Sequence, residues 1–303
     1  MSETHRGRIR LGASARLTIN HLFLLALCIT TVLPFLWMVL TSLKPFTEVE
    51  STTWTPSAWQ PANYLNVFEK MRYGLLLGEF DDSWRWHQYF TDSAFMRYYF
   101  NSLYVAACVT FGQILTSAMA AFAFSRLHWP GRDKVFLLYL ATMMVPGLVV
   151  MIPNYQIMML FGWVDTYRGL IIPAAFTAFG TFLLRQFMLT IPPSLDEAAT
   201  IDGASRWQLF WQVIMPLTRP GLIVLCIITF MGTYNSFFWP LVMLRTQAKY
   251  TLPIGLLFFD SSQGQETHLL MAAVTMSVVP LIVLFVVMQK YLVRGIQLGA
   301  VKG

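Results

Sequence analysis

The sequence predicts an all-α polytopic membrane protein with six transmembrane helices, and three observations carry that expectation. Of 303 residues, 56% are hydrophobic and only 12% charged, about half the ~25% charged share of an average soluble domain. The apolar residues gather into runs of about 20, the length that crosses ~30 Å of hydrocarbon as a helix. The basic residues are divided unevenly between alternate connecting segments, as they are when the cytoplasmic side of a membrane retains them.

The runs are Leu17 to Leu40, Leu103 to Phe124, Val135 to Phe161, Leu170 to Leu189, Gly221 to Leu244 and Leu269 to Leu292. The first is too long for the apolar core of a signal peptide and no small-residue cleavage pattern follows, so it is expected to stay as an anchor. The second contains Gln113, a polar side chain suited to a hydrogen bond between helices. The third and fourth carry Pro146, Pro153 and Pro173, each of which removes a backbone bond and serves either to bend the span or simply to pack. Arg185, near the end of the fourth run, is expected to snorkel to the interface. The fifth run holds Thr233-Tyr234-Asn235-Ser236, with Tyr234 and Asn235 as candidate pathway or gate residues because polar groups at this depth need a reason.

Six spans place both termini on one side. That side carries thirteen basic and five acidic residues, the other eight basic and ten acidic, so the termini are expected in the cytoplasm. The organisation is then an N-terminal cytoplasmic segment (1–16), a transmembrane domain (17–292) and a cytoplasmic tail (293–303). The larger connections are an outer loop 41–99, a cytoplasmic loop 190–219 and an outer loop 245–267. The net charge of +6 follows from topology and from contact with anionic lipid, and its dispersal among spans gives no nucleic-acid surface. Cys28, Cys108 and Cys226 lie inside apolar runs, without the spacing of a disulfide framework or zinc site.

Loop 41–99 holds Trp54, Trp59, Trp84 and Trp86, readable as an interfacial aromatic belt or as partner contacts, and an acidic cluster of Glu79, Asp81 and Asp82. The stretch from Gly74 to Thr91 reads as a surface insertion or a contact surface.

Loop 190–219 is the most informative segment. Ser194 followed by Glu197 predicts a capping box at a helix start, Asp202-Gly203 predicts its end, and Ser205 is placed to cap a second helix. In that helix Trp207, Phe210, Trp211 and Ile214 fall on one apolar face, and Pro216 stops it. Such a pair of helices rests on the bilayer or its own bundle, or docks a soluble partner.

Glu197-Ala198-Ala199, then Asp202-Gly203-Ala204 and Ile214-Met215-Pro216-Leu217, resembles the EAA loop of ATP-binding-cassette importer permeases. Ser42-Leu43-Lys44-Pro45, Asn101-Ser102-Leu103, Trp129-Pro130-Gly131-Arg132-Asp133 and the terminal Gly299-Ala300-Val301-Lys302-Gly303 are similar to the second permease subunit of the maltose-type carbohydrate importers. The resemblance implies a type I importer permease fold. It implies a homologous sister permease, two cytoplasmic ATPase subunits and an extracytoplasmic solute-binding protein as partners, in a bacterial inner membrane. Glu197, Ala198, Ala199, Asp202, Gly203 and Ala204 would form the coupling helix and its turn against an ATPase. Loop 245–267, with Thr251-Leu252-Pro253, is similar to the family's loop that reaches the binding protein, and the region from Gly255 to Glu266 is expected to make that contact. The fifth span departs at Tyr234 and Ser236, where the family commonly reads Trp-Asn-Asp.

No G-x-x-x-x-G-K-[ST] loop occurs, so ATP and magnesium are expected on the partner ATPase and no cofactor on this chain. A secondary transporter would want carboxylates within its spans, whereas the acids fall in loops and at span edges. A membrane enzyme would want clustered His, Asp or Glu. His5, His21, His87, His128 and His268 are scattered instead. The expected product is a permease subunit carrying an oligosaccharide, disaccharide or related sugar compound.

Overall fold

A run of small and apolar residues makes α3, Ala94–Arg126, the axis of the bundle. The computed structural model describes residues 13–71, 93–259 and 266–300, and no strand forms among them; the Gly74 to Thr91 stretch lies outside the described residues. Before α3 come α1, Ala13–Ser42, and the short α2, Asn63–Lys70. After it follow α4, Arg132–Ala141, α5, Gly147–Leu160, α6, Arg168–Ala174, and α7, Ala178–Leu189. The 190–219 loop contains α8, Ser194–Ile201, and α9, Arg206–Leu217. The chain ends with α10, Arg219–Tyr234, α11, Phe238–Met243, α12, Leu252–Gly255, and α13, Thr267–Ala300.

Among the described residues four segments are each long and apolar enough to cross a membrane: Leu17–Ser42, Ala94–Arg126, Arg168–Leu189 and Thr267–Lys290. Two bent pairs raise the number to six when each is one span: Arg132–Met144 with Gly147–Leu160, bent by 97°, and Arg206–Leu217 with Arg219–Tyr234, bent by 74°. The first bend falls at Val145-Pro146, where proline caps α5 in an extended conformation, so Pro146 turns the span while Pro153 is carried inside α5. The fifth run, expected as one helix to Leu244, breaks at Asn235 and resumes as α11. The second begins nine residues earlier than its apolar run, because Phe95 and Tyr98 pack into a cluster with Val67, Phe68 and Met71 around α2.

α7, α10, α6 and α12 pack against α3, while α1 lies against α13. Side chains along α1 from Leu17 to Leu36 stay exposed, as they do where a helix faces lipid rather than water.

The fourth span is interrupted after Pro173, and the interruption exposes carbonyls that hydrocarbon cannot satisfy. Gln113 Nε2 donates to the Ala174 carbonyl at 2.7 Å and Thr116 Oγ1 to that of Ala175 at 2.6 Å. Thr229 Oγ1 then donates to Gln113 Oε1 at 2.7 Å. The expected hydrogen bond between helices is therefore formed, and it joins α3, the break after α6, and α10. Gln113→Leu should lower unfolding free energy by about 1–3 kcal/mol, since the carbonyl and hydroxyl left behind stay buried; a lower melting temperature in detergent checks it.

At one end of the bundle the Ser42-Leu43-Lys44-Pro45 turn is locked from several sides. Lys44 is fully buried, its Nζ donating to the Thr53 carbonyl at 2.6 Å and standing 4.4 Å from the Trp37 ring. Trp54 meets the same ring edge-on at 5.0 Å, so this tryptophan serves the local fold.

Candidate functional site: the coupling loop and the opposite-end loops

α8 begins one residue earlier than a capped helix would. Pro193 already has helical angles, and the Asp196 and Glu197 amides both donate to its carbonyl. Ser194 therefore sits inside the first turn, where its hydroxyl cannot cap, and the expected Ser194–Glu197 capping box does not form. The box forms instead at the next helix: Ser205 Oγ accepts from the Gln208 amide at 3.3 Å, and Gln208 Oε1 accepts from the Ser205 amide at 2.8 Å.

Between the two helices Gly203 has φ +80°, a left-handed conformation glycine adopts without Cβ strain. The Gly203 amide donates to the Thr200 carbonyl at 3.1 Å and the Ala204 amide to that of Ala199 at 2.9 Å, which is the paired closure of a Schellman motif. A closed helix end followed directly by a capping box makes the corner stiff.

No residue of α8 is buried. Glu197, Ala198, Asp202 and Gly203 are exposed, Ala199 and Ala204 half-buried, and Ile201 is 85% exposed. The apolar face expected of the second helix is divided. Residues 209–214 form a π-helical turn, whose wider pitch breaks the 3.6-residue alignment. Phe210 and Ile214 enter a core with Phe122, Leu184, Met188 and Leu225, while Trp207 and Trp211 remain outside at 59% and 41% exposure. Pro216 lies within α9, and the stop comes at Thr218.

The loop is held to the bundle by a side chain that sequence reasoning placed only among the charges. Arg126, with 6% of its side chain exposed, pairs through Nη1 with Asp196 Oδ2 at 3.0 Å. Its Nη2 donates to the Met188 and Ile191 carbonyls at 2.6 and 2.8 Å. Arg185 reaches the same end of the bundle, donating to the Phe124 carbonyl at 3.2 Å, lying 4.2 Å over the Phe136 ring and 3.6 Å from Asp133.

Tyr234 and Asn235 separate. Tyr234 is buried and donates to the Ser277 carbonyl at 3.0 Å, tying α10 to α13. Asn235 is exposed at the break that follows. Beside that break a cleft is lined by the hydroxyl-bearing Ser102, Thr233, Ser236 and Thr251 together with Trp239.

At the opposite end from α8, Gly255 is buried against the Tyr98 ring, so it shapes its loop and offers no surface. Glu266 pairs with Lys70 at 2.9 Å. A second hub stands nearby: Asp165, at φ +57°, accepts from the Arg245 and Thr246 amides, each at 3.0 Å, from Thr246 Oγ1 at 2.6 Å and from Lys249 Nζ at 2.8 Å. Partial burial pushes this carboxyl up, but the donors from Lys249, Thr246 and Arg245 outweigh it and hold its pKa well below the usual range. A depressed folded pKa means the tie is fully present above the unfolded value of about 4 and is lost as pH falls below it. Asp165→Asn should therefore melt lower than the native chain at neutral pH, with the gap closing below about pH 4; melting curves across that range check it.

Spans broken at their middle, a stiff exposed loop between the fourth and fifth, and loops knitted together at the other end define a transport permease subunit. Residues 113–298 match the family model described as the binding-protein-dependent transport system inner membrane component. The chain is 32% identical to the arabinooligosaccharides transport system permease protein AraQ of Halalkalibacterium halodurans, over 90% of this chain and 91% of that protein. It is 35% identical to the sn-glycerol-3-phosphate transport system permease protein UgpE of Yersinia enterocolitica, over 65% and 71%. To the diacetylchitobiose uptake system permease protein NgcG of Streptomyces coelicolor it is 29% identical, over 93% and 87%. Its fold matches a chain of a bacterial ABC transporter involved in import of the acidic polysaccharide alginate, with TM-score 0.76 and 23% identity over 94% and 99% of the two chains.

The protein belongs to the family of inner-membrane components of binding-protein-dependent transport systems. It is a transport subunit and not an enzyme, and its partners include an ATPase and a solute-binding protein.

Proposed function

We propose that this chain is one of two homologous membrane subunits of an ATP-driven carbohydrate importer, forming half of the translocation pathway and coupling to a cytoplasmic ATPase through α8. The observation that carries the reading is the stiff corner at Gly203, beside a helix that has no fully buried residue and is tied to the bundle through Asp196. An exposed, ordered surface bearing Ile201 and Trp207 is costly in water and gains by being covered. Glu197 supplies a charge on the same short helix, and the small Ala198 and Ala199 allow close approach. The relatives named for arabinooligosaccharides and diacetylchitobiose support a sugar compound as solute.

In this reading ATP and magnesium are held by the ATPase pair, whose closure moves α8. The broken spans convert that movement into a change of access, because the membrane subunit makes different contacts in its two states. The hydroxyl-lined cleft at the α10–α11 break, with Asn235 at its edge, lies where a pathway would want polar groups. Loop 245–267 faces the binding protein on the outer side, and both termini lie in the cytoplasm.

Orientation has a direct test. A cysteine replacing exposed Ser205 should be modified by an impermeant thiol reagent in inside-out vesicles and spared in intact cells, and modification in intact cells would invert the topology. Function is tested in proteoliposomes holding the chain with its partners. Uptake of a sugar compound that requires both ATP and the binding protein supports the reading, and ATP-independent uptake overturns it.

A further inference from the structure

We propose that Arg126 is a positioning residue that carries the movement of α8 into α3 and α7; this rests on α8 being the segment that meets the ATPase. Arg126 is the last residue of α3, Met188 and Ile191 bracket the end of α7, and Asp196 is in the first turn of α8. One planar guanidinium thus joins three segments, of which the chain connects α7 to α8 through Thr190 to Pro193 and α3 to α7 only by way of α4, α5 and α6. A displacement of α8 reaches the fourth span through Thr190 to Pro193, and it reaches the second span directly through this pair, beside the packing of the following helix, where Phe210 lies 5.1 Å from Phe122.

Two properties distinguish the contact from an ordinary charged pair at a protein surface, which contributes little. The arginine is almost wholly enclosed, with 6% of its side chain exposed, and the aspartate is at 22%. The acceptors also differ in kind: two are carbonyls at the C-terminal end of a helix, which attract a cation, and the third is a carboxylate. A guanidinium can serve all three in one plane, whereas an ammonium is a point charge and cannot hold that geometry. The pair is joined by one bond, and Arg126 Nε and Asp196 Oδ1 are both buried without a hydrogen-bond partner. Both groups therefore have unused bonding capacity with which the pair can re-form as α8 shifts, up to a two-bond fork.

The test uses the full importer in proteoliposomes and compares ATP hydrolysis with and without solute-loaded binding protein, alongside co-purification of the ATPase. Asp196→Ala removes the carboxylate and leaves Glu197, Ala198, Ala199 and Gly203 untouched. Stimulation by the loaded binding protein should fall about ten-fold while the ATPase still co-purifies, and Asp196→Glu should restore most of it. Arg126→Lys should behave as Asp196→Ala does. Stimulation within about two-fold of native in Asp196→Ala overturns the proposal. Glu197→Lys run in parallel separates the two ideas: uncoupling by Glu197→Lys alone rejects the strut and keeps the loop, and coupling preserved in both variants rejects α8 as the contact itself.

Discussion

Gly203→Pro abolishes solute-stimulated ATP hydrolysis by the assembled importer while the chain still inserts in the membrane. Proline holds φ near −65°, but this position has φ +80°, so the corner between α8 and α9 cannot keep its path. The substitution also deletes the amide that donates to the Thr200 carbonyl at 3.1 Å, and with the turn opened the Ala204 to Ala199 bond is lost as well. Nothing lies within 4 Å of a Cβ at this position, so crowding plays no part and the effect is one of backbone conformation. Gly203→Ala is the graded control, with strain of only about 1–2 kcal/mol and a partial loss of stimulation. Glu197→Lys attacks the same function without touching the turn, by reversing a charge on an exposed face. ATPase assays with and without loaded binding protein read all three variants.

Gly255→Val has the second large effect, at the other end of the molecule. A Cβ there would overlap the Tyr98 ring, falling 3.0 Å from Cε2 and closer still to Cδ2. Tyr98 has no room to retreat: it is fully buried and sits 6.1 Å from Tyr250 and 6.3 Å from Phe258, centroid to centroid. Overpacking of this kind costs about 1–3 kcal/mol or more, and the strain is relieved by lifting the segment around α12 off α3. Because that segment belongs to the loop proposed to face the binding protein, transport should require far more binding protein, while co-purification with the ATPase at the opposite end persists. Uptake measured against binding-protein concentration shows the shift.

Much of this architecture was legible because hydrocarbon imposes a simple rule on sequence. Four of the six charge-poor runs coincide with long apolar helices and the other two fall in bent pairs, and Asp202-Gly203 marked a helix end where the backbone stands at φ +80°. The breaks were less visible. Pro146 and Pro173 were open to bending or to packing alone, and the interruption at Asn235 has no proline at the point where α10 ends; it falls in the polar run Thr233-Tyr234-Asn235-Ser236, which reads equally as pathway lining within a continuous helix. The capping box was misplaced by eleven residues for a local reason, since Pro193 entered the helix and displaced Ser194 from the cap. The apolar face of α9 was read at α-helical period, and a π turn at 209–214 divided it into a buried Phe210 and Ile214 and an exposed Trp207 and Trp211.

Long-range polar ties were the least legible. Arg126 reads as one more basic residue at the end of a span, and only the fold shows it enclosed against Asp196, seventy positions away. Asp165 reads as a loop acid, yet it gathers donors from a segment about eighty positions distant. Gly255, expected to help form a partner-facing surface, serves the packing beneath it because Tyr98 occupies the space any side chain would need.

The central claim is that this chain works as one membrane subunit of an ATP-driven importer. Gentle solubilisation of the tagged chain from its native membrane, followed by mass spectrometry of co-purifying proteins, tests it most directly. The account predicts an ATP-binding-cassette ATPase and a homologous permease in the same particle, with a solute-binding protein recovered after cross-linking. Recovery of the chain alone, with solute transport in liposomes that contain no ATP, would contradict it.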